Sequence, residues 1–269
     1  MSMNWVKKPL LLMMALSVVA CSSSKDEDKY IARDVDVLYN LGQDQLDKRR
    51  YRNAASAFDE VERQHPHSYW SRRALLMSAY SHYMTNDYDS AINTAQRFLQ
   101  LHPGNSSSSY AYYLIAMCHY ELIAGVGRDQ DETIKARRAL IEVIRRFPDS
   151  KYALDSQLKL DLTNDHLAGK DMEVGRFYHE REEYLAAVLR FRGVIEKYQT
   201  TSHAPEALHR LVEGYLALGV TSEAQTAAAV LGHNYPGSKW YRYSYALMRN
   251  EKLPLEASSD SWLSKIWPF

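Results

Sequence analysis

The sequence predicts an all-α solenoid of about five helical hairpins, on two observations. A short template recurs five times in one frame, and a small residue stands at a fixed distance before most copies. The template is an aromatic or Thr at its first position, Ala three residues on, an apolar residue seven on and Pro fifteen on. Tyr51, Ala54, Phe58 and Pro66 make the first copy, and Tyr88, Ala91, Ala95 and Pro103 the second. Thr133, Ala136, Leu140 and Pro148 follow; then Tyr184, Ala187 and Phe191, with Gln199 in place of Pro; then Thr221, Ala224, Ala228 and Pro236. Spacings of 37, 45, 51 and 37 residues between first positions are the period of stacked helical pairs, some with insertions. Ala at a fixed offset suits a close helix crossing, where a larger side chain holds the backbones apart. Gly42, Ala79 and Gly175 each stand nine residues before a first position, where the partner helix touches. Val212 breaks that rule in the fifth copy. Such a solenoid leaves a concave face for binding, because each hairpin mainly contacts its neighbours.

Taken in order, the helices are expected near 34–48, 51–65, 70–85, 88–102, 109–124, 131–147, 151–179, 184–198, 203–218, 221–234 and 240–250. Asp34 and Ser68 are candidate N-caps, and the Pro-containing turns act as breakers. Gly125 to Asp131 interrupts the third pair as an exposed loop; without Gly-Lys-Ser/Thr or a preceding strand it is no phosphate loop. The long helix near 151–179 is supported by Tyr152, Leu158, Leu162, Leu167, Met172 and Phe177, and Gly169 weakens its middle. It joins the N-terminal repeats, 34–148, to a C-terminal half at 149–239. Residues 240–269 form a cap helix and an aromatic tail. Trp262, Trp267 and Phe269 in that tail are costly to leave in water. Folding back, binding a partner or touching a membrane surface all remain open.

The first residues belong to processing and not to the fold. Lys7 and Lys8 precede a mostly apolar run, Pro9 to Ala20, too short to span a bilayer. Val18-Val19-Ala20-Cys21 resembles the lipobox of bacterial lipoproteins. That resemblance implies a signal peptide over 1–20, lipids on Cys21, and a polar tether over 21–33. Ser22 after the cysteine resembles lipoproteins sent to the outer membrane of Gram-negative bacteria. More than one acyl chain gives stable anchoring. Only Cys118 then remains as a thiol, expected to be a buried, inert helix residue.

Basic and acidic residues balance at 33 each, which gives no general attraction to nucleic acid or anionic lipid. The ten histidines are scattered, and none shows metal-ligand spacing. Asp161 and Asp165 lie one helical turn apart without a nearby third ligand, and no Gly-x-Ser-x-Gly elbow occurs. A catalyst, a metal site and a cofactor are not expected. The 20 tyrosines instead suit a peptide or protein interface. The helix near 131–147 is basic through Lys135, Arg137, Arg138, Arg145 and Arg146, so either a solvated face or a carboxylate-recognising one.

A lipobox followed at once by five helical pairs resembles the ComL/YfiO family, the tetratricopeptide-repeat lipoproteins of the outer-membrane β-barrel assembly (BAM) machinery. The likeness extends to about residue 240 and includes the insertion at 125–131 and the passage Tyr178-His179-Glu180-Arg181-Glu182-Glu183-Tyr184. It implies a lipid-anchored subunit on the periplasmic face of the outer membrane. Its implied partners are a BamA-type insertase, other BAM lipoproteins and unfolded outer-membrane β-barrel proteins. Family members hold no cofactor and catalyse no covalent step. By the family's pattern Arg190, six residues after Tyr184, pairs with an acidic residue of the insertase, with Arg192 and Lys197 on the same basic helix. The N-terminal repeats are expected to receive the substrate's C-terminal signal among Tyr51, Phe58, Tyr69, Tyr80, Tyr83 and Tyr113, with Arg137 and Arg138 for its carboxylate. Two other classes stand beside this reading: a periplasmic tetratricopeptide scaffold for division or export complexes, and a helical wall hydrolase, which requires a groove carboxyl of raised pKa.

Overall fold

The computed structural model describes residues 32–251 together with Trp262 and Leu263. The expected signal peptide, Cys21 and most of the tether therefore lie outside the described residues. The chain divides after Asp34. Of the first unit only Ala32 to Asp34 are described, as irregular backbone.

The second unit contains helices α1 (Val35–Asp47), α2 (Tyr51–Gln64), α3 (Tyr69–Met84), α4 (Tyr88–Leu101), α5 (Ser108–Glu121) and α6 (Asp131–Arg146). They are followed by α7 (Lys151–Glu180), α8 (Tyr184–Lys197), α9 (Ala204–Ala217), α10 (Thr221–Asn234) and α11 (Lys239–Asn250). Among the described residues there is no strand. Each helix packs on the next, so α1–α2 through α9–α10 make five hairpins, and α11 covers both α9 and α10. First helices of successive hairpins also touch, α1 with α3, α3 with α5 and α5 with α7. No helix among the described residues is long and apolar enough to cross a membrane.

Every second helix of a hairpin begins at or just before the template's first position, and Ala54, Ala91, Ala136, Ala187 and Ala224 are all fully buried. The seam is matched by size across the crossing. A Cβ on Gly42 would stand 2.6 Å from the Phe58 ring, and one on Gly175 would stand 2.4 Å from the Phe191 ring. Where the first helix offers Ala79, the facing helix offers Ala95, and both share one buried cluster. In the fifth hairpin the bulk changes sides, with Val212 on the first helix and Ala228 on the second, both fully buried. Val212 thus keeps the packing rule with the roles exchanged. Interiors at crystal-like density leave no slack for a Phe facing anything larger than Gly.

The turns repeat as closely. Second helices end at His65, His102, Phe147 and Tyr235 with φ between −133° and −135° and ψ between 52° and 56°. Each precedes a Pro, which excludes helical backbone from the residue before it. Tyr198 ends α8 near the same angles (φ −137°, ψ 35°) although Gln199 follows, so the neighbouring packing also enforces this turn. Two residues beyond each of three prolines a serine caps the next helix: the Ser68, Ser150 and Ser238 hydroxyls accept from the backbone N–H of Ser71, Ala153 and Tyr241. The turn inside a hairpin carries a left-handed residue two before the second helix: Arg49 (φ 56°), Asn86 (φ 60°), Glu182 (φ 62°) and Gly219 (φ 74°).

The third hairpin departs from this pattern. Helix α5 ends at Glu121, three residues short of the expected 124, and the chain leaves into the Gly125–Gln130 loop. The Gln130 side-chain amide reaches the carbonyls of Gly125 (3.3 Å), Val126 (3.3 Å) and Arg128 (3.0 Å) and so folds the loop around itself. Val126 lies against Gly169, where a Cβ would stand 3.7 Å from its methyls. Gly169 is a seat for the loop as well as a weak point in α7.

Candidate docking surfaces

The first-helix face of the N-terminal hairpins carries a ladder of tyrosines. Because α3, α5 and α7 lie side by side, residues at matching turns line up: Tyr80 and Tyr83 on α3, Tyr110 and Tyr113 on α5, Tyr152 and Asp155 on α7. Tyr113 stacks on Tyr152 with ring centroids 5.0 Å apart, and Tyr110 lies 5.6 Å from Tyr152. Tyr51 meets Tyr80 edge-on at 6.4 Å, and Tyr83 meets Tyr88 at 5.8 Å. The hydroxyl of Tyr83 donates to Glu121 (3.2 Å) and that of Tyr113 to Asp155 (2.7 Å). Burial pushes the phenols of Tyr83, Tyr110 and Tyr113 up, and the facing carboxylates push Tyr83 and Tyr113 further, so these hydroxyls stay protonated donors. Burial raises Asp155, but hydrogen bonds from Tyr113 and Lys159 outweigh it and leave its carboxyl lowered. The outcome is a half-buried aromatic surface with two of its hydroxyls, those of Tyr83 and Tyr113, tied to carboxylates. Beneath it the Cys118 thiol is buried and pushed up to about 12 by that burial, as expected of an inert thiol.

Not every expected residue joins this face. Phe58 is fully buried against Gly42 and belongs to the seam. The template made it an aromatic candidate, and the glycine nine residues before Tyr51 is what draws it inward. Tyr69 is exposed at the far end of α3, beside Arg72 (5.2 Å) and Trp70 (6.0 Å). Arg137 and Arg138 sit on a second helix, α6, and not among the tyrosines. The Arg137 Nε donates to Asn164 Oδ1 of α7 at 2.8 Å, while Arg138 is exposed. Tyrosines and arginines therefore do not share one pocket.

The other surface is α8. Ala187, Phe191, Val194 and Ile195 are fully buried, which turns Leu185 and Leu189 outward, 64% and 61% exposed. Arg190 is half-exposed and its Nη1 lies 3.4 Å from Asp171 Oδ1 of α7. Arg192, about 200° further around a helix of 3.6 residues per turn, faces the other flank. Its Nε donates to Glu196 (2.7 Å), and its guanidinium stands 4.4 Å from the Trp262 ring. Lys197 is exposed at the helix end. The structure thus separates Arg190 from Arg192. On neighbouring α7, Leu154, Leu158 and Leu162 form an exposed stripe at four-residue spacing, whereas Leu167 and Met172 are buried.

A family model, YfiO, described as "Outer membrane lipoprotein", matches residues 32–231. The chain belongs to the YfiO family. Three proteins named "Outer membrane protein assembly factor BamD" show how far the likeness extends. That of Caulobacter vibrioides is 48% identical over 92% of this chain and 84% of its own. That of Rickettsia prowazekii is 46% identical over 89% of this chain and 95% of its own. That of Neisseria meningitidis serogroup A is 32% identical over 89% and 96%. The YfiO match ends inside α10, so α11 and the Trp262–Leu263 contact lie beyond it. The YfiO-like passage from Tyr178 to Tyr184 is the turn between α7 and α8. There Glu183 N–H donates to Tyr178 O (3.0 Å), His179 meets Tyr184 edge-on at 5.5 Å, and Arg181 covers the Phe177 ring at 4.2 Å. Those residues shape the entry into α8.

Sequence reasoning missed Asp171, nineteen residues before Arg190, since no local pattern joins them. It also missed Tyr110 and Tyr152, although their spacing from Tyr113 and Asp155 on helical faces was a usable signal.

Proposed function

We propose that this protein is a non-catalytic lipoprotein subunit of outer-membrane protein assembly, anchored through Cys21 on the periplasmic face of the outer membrane. The observation that carries the reading is 48% identity to an assembly factor along nearly the whole chain. In this reading α8 docks on a BamA-type insertase and the tyrosine ladder of α3, α5 and α7 receives unfolded β-barrel segments. Other lipoproteins of the same complex take the remaining surface.

Each surface is suited to its role. Rigid tyrosines give large contact area at low entropic cost, which fits extended segments of alternating apolar and polar residues. The Arg190–Asp171 pair is exposed and long, so it contributes little to the fold and exchanges readily for a partner's carboxylate. An arginine buried against that carboxylate makes a bidentate pair that lysine does not reproduce. Leu185 and Leu189 flank it as apolar contact.

The test is capture of the insertase by the full-length tagged chain from detergent-solubilised envelopes. Wild type retains it; Arg190→Glu, with helicity unchanged, loses at least tenfold in affinity, equivalent to about 1.4 kcal/mol or more. Capture by Arg190→Glu equal to wild type removes α8 as the docking helix, and no insertase on the wild-type chain removes the reading itself.

A further inference from the structure

Beyond α11, Trp262 and Leu263 return to the helical core. Leu263 is fully buried and Trp262 half-buried, both against the core that α7 to α11 share. The indole N–H of Trp262 donates to the Tyr215 hydroxyl of α9 at 3.0 Å. The Arg192 guanidinium of α8 lies 4.4 Å from the Trp262 ring, and Glu196 holds that guanidinium in place at 2.7 Å. The two polar groups come from two packed helices and the apolar socket from the core shared by α7 to α11, and they do three different things. A phenol oxygen accepts the indole proton, a fixed cation faces the ring's electron-rich surface, and an apolar socket takes an aliphatic side chain. With Trp262 in place Tyr215 is buried, and the indole N–H supplies its hydroxyl with a partner there.

We propose that α8 and α9 form an acceptor site for a short aromatic–aliphatic peptide segment, and that the chain's own Trp262–Leu263 is its resident occupant. The site is built on two packed helices whose neighbouring core residues Phe191, Val194, Leu211 and Val212 are fully buried beside Tyr215. The occupant arrives from α11 across residues 251–261, and tethering over so short a span supplies it at about millimolar effective concentration. Modest contacts then fill the site in cis, and a segment in trans gains entry only by exchange. Occupancy also covers Arg192, which lies on the same helix as the docking residue Arg190. The acceptor site does not depend on the insertase reading; only the consequence for α8 does.

The experiment uses the full-length chain and a fluorescent peptide spanning residues 257–269. Anisotropy titration should show the Trp262→Ala/Leu263→Ala chain binding the peptide at least tenfold more tightly than wild type, whose site is filled. Adding Tyr215→Phe or Arg192→Ala to that double variant should weaken the peptide at least threefold, and a peptide carrying Trp262→Ala should not bind. Equal affinity of the double variant and wild type overturns the proposal, as does indifference to both Tyr215→Phe and Arg192→Ala. If circular dichroism shows the double variant unfolded, Trp262→Phe replaces it: loss of the indole N–H should admit the peptide at least threefold better than wild type, and no change overturns the site. No insertase is present, so either result leaves the docking reading standing.

Discussion

The two halves of this solenoid are held together differently. In the N-terminal hairpins the buried residues fall into several small clusters between neighbouring helices, such as Leu38, Ala54, Phe58 and Val61, or Ala79, Ala95 and Leu114. From Ala168 onward one continuous cluster runs through α7, α8, α9, α10 and α11 to Leu263. Stacked repeats are stabilised by nearest-neighbour interfaces, and the first half keeps to that description. The second half has merged its interfaces into one core under a cap helix. Under the proposed function, the first arrangement would suit a groove that adapts to varied unfolded chains, and the second a platform for a fixed partner.

The largest effect should come from equivalent phenylalanines. Phe58→Ala and Phe191→Ala remove the same ring from the same kind of glycine seat, and each should cost about 3–5 kcal/mol. The reach should differ. Amide hydrogen exchange after Phe58→Ala should speed up in α1 to α3, whereas Phe191→Ala should expose α7 through α11 together. If Phe58→Ala spreads as far as Phe191→Ala, the two halves are not built differently.

Acidity should separate the halves with a smaller effect and opposite sign. In the first half His82 lies 3.4 Å from both Asp59 and Asp87, and the hydrogen bond to Asp59 is the main cause that raises its pKa above the ordinary 6.5. Burial pushes Asp59 up, but hydrogen bonds from His82 and Ser78 outweigh it, so its carboxyl ends lowered from 3.8 and stays ionised near neutrality. A raised histidine contributes fully below 6.5, and that contribution is lost as pH rises through the raised value. In the second half burial is the main cause that lowers His179 below 6.5. Glu213, 3.6 Å away, attracts its charged form, and Arg210 and His209 oppose it. Burial raises Glu213 too, yet hydrogen bonds from His209 and Arg210 bring it down to about 2, so it remains ionised throughout. A lowered histidine contributes above 6.5, and the contribution is lost as pH falls through the lowered value. His102, which ends α4, is lowered by burial and opposes His82 there, so between pH 8 and pH 5.5, corrected for intrinsic exchange, protection should rise in α2 and α3 around His82 and fall in α7 to α9. Changes of one sign in both halves would contradict the assignment.

The helix frame was legible because its determinants are local and periodic. Ala at one offset, Pro at another and a small residue before three of the five copies placed ten of eleven helices to within a residue at each end. The exception, α5, ends where Gln130 gathers the loop, a contact between residues that have no fixed spacing. Faces were less legible than frames. Leu158 and Leu162 have the spacing of seam residues, but α7 turns them outward and buries Leu167 and Met172 instead. Phe58 was visible as an aromatic and Gly42 as a gap, yet only their distance in space shows that one fills the other. Arg190 could be aligned by position, while Asp171 opposite it and Trp262 over Arg192 depend on tertiary placement. Pairing is what a sequence read one residue at a time does not display.

The smallest effect lies in the turns and sharpens the comparison between repeats. Four hairpins place a residue with positive φ two positions before the second helix, and only the last uses glycine, at Gly219. Arg49 and Glu182 carry a Cβ that crowds the backbone in this region, at about 1–2 kcal/mol, whereas Asn86 tolerates it better through its short polar side chain. Glycine removes that cost but adds about 0.5–1 kcal/mol of chain entropy in the unfolded state. Glu182→Gly and Arg49→Gly should therefore stabilise by up to about 1 kcal/mol, with Asn86→Gly near zero and Gly219→Ala destabilising by about 1 kcal/mol. Because the second half shares one core, Glu182→Gly should raise the midpoint for α7 to α11 as a unit, and Arg49→Gly should slow exchange only near the α1–α2 turn. Urea titration followed by hydrogen exchange reads both. A loss of stability on Glu182→Gly would mean that the Glu182 side chain contributes more than its backbone conformation costs, and the four turns would no longer be equivalent.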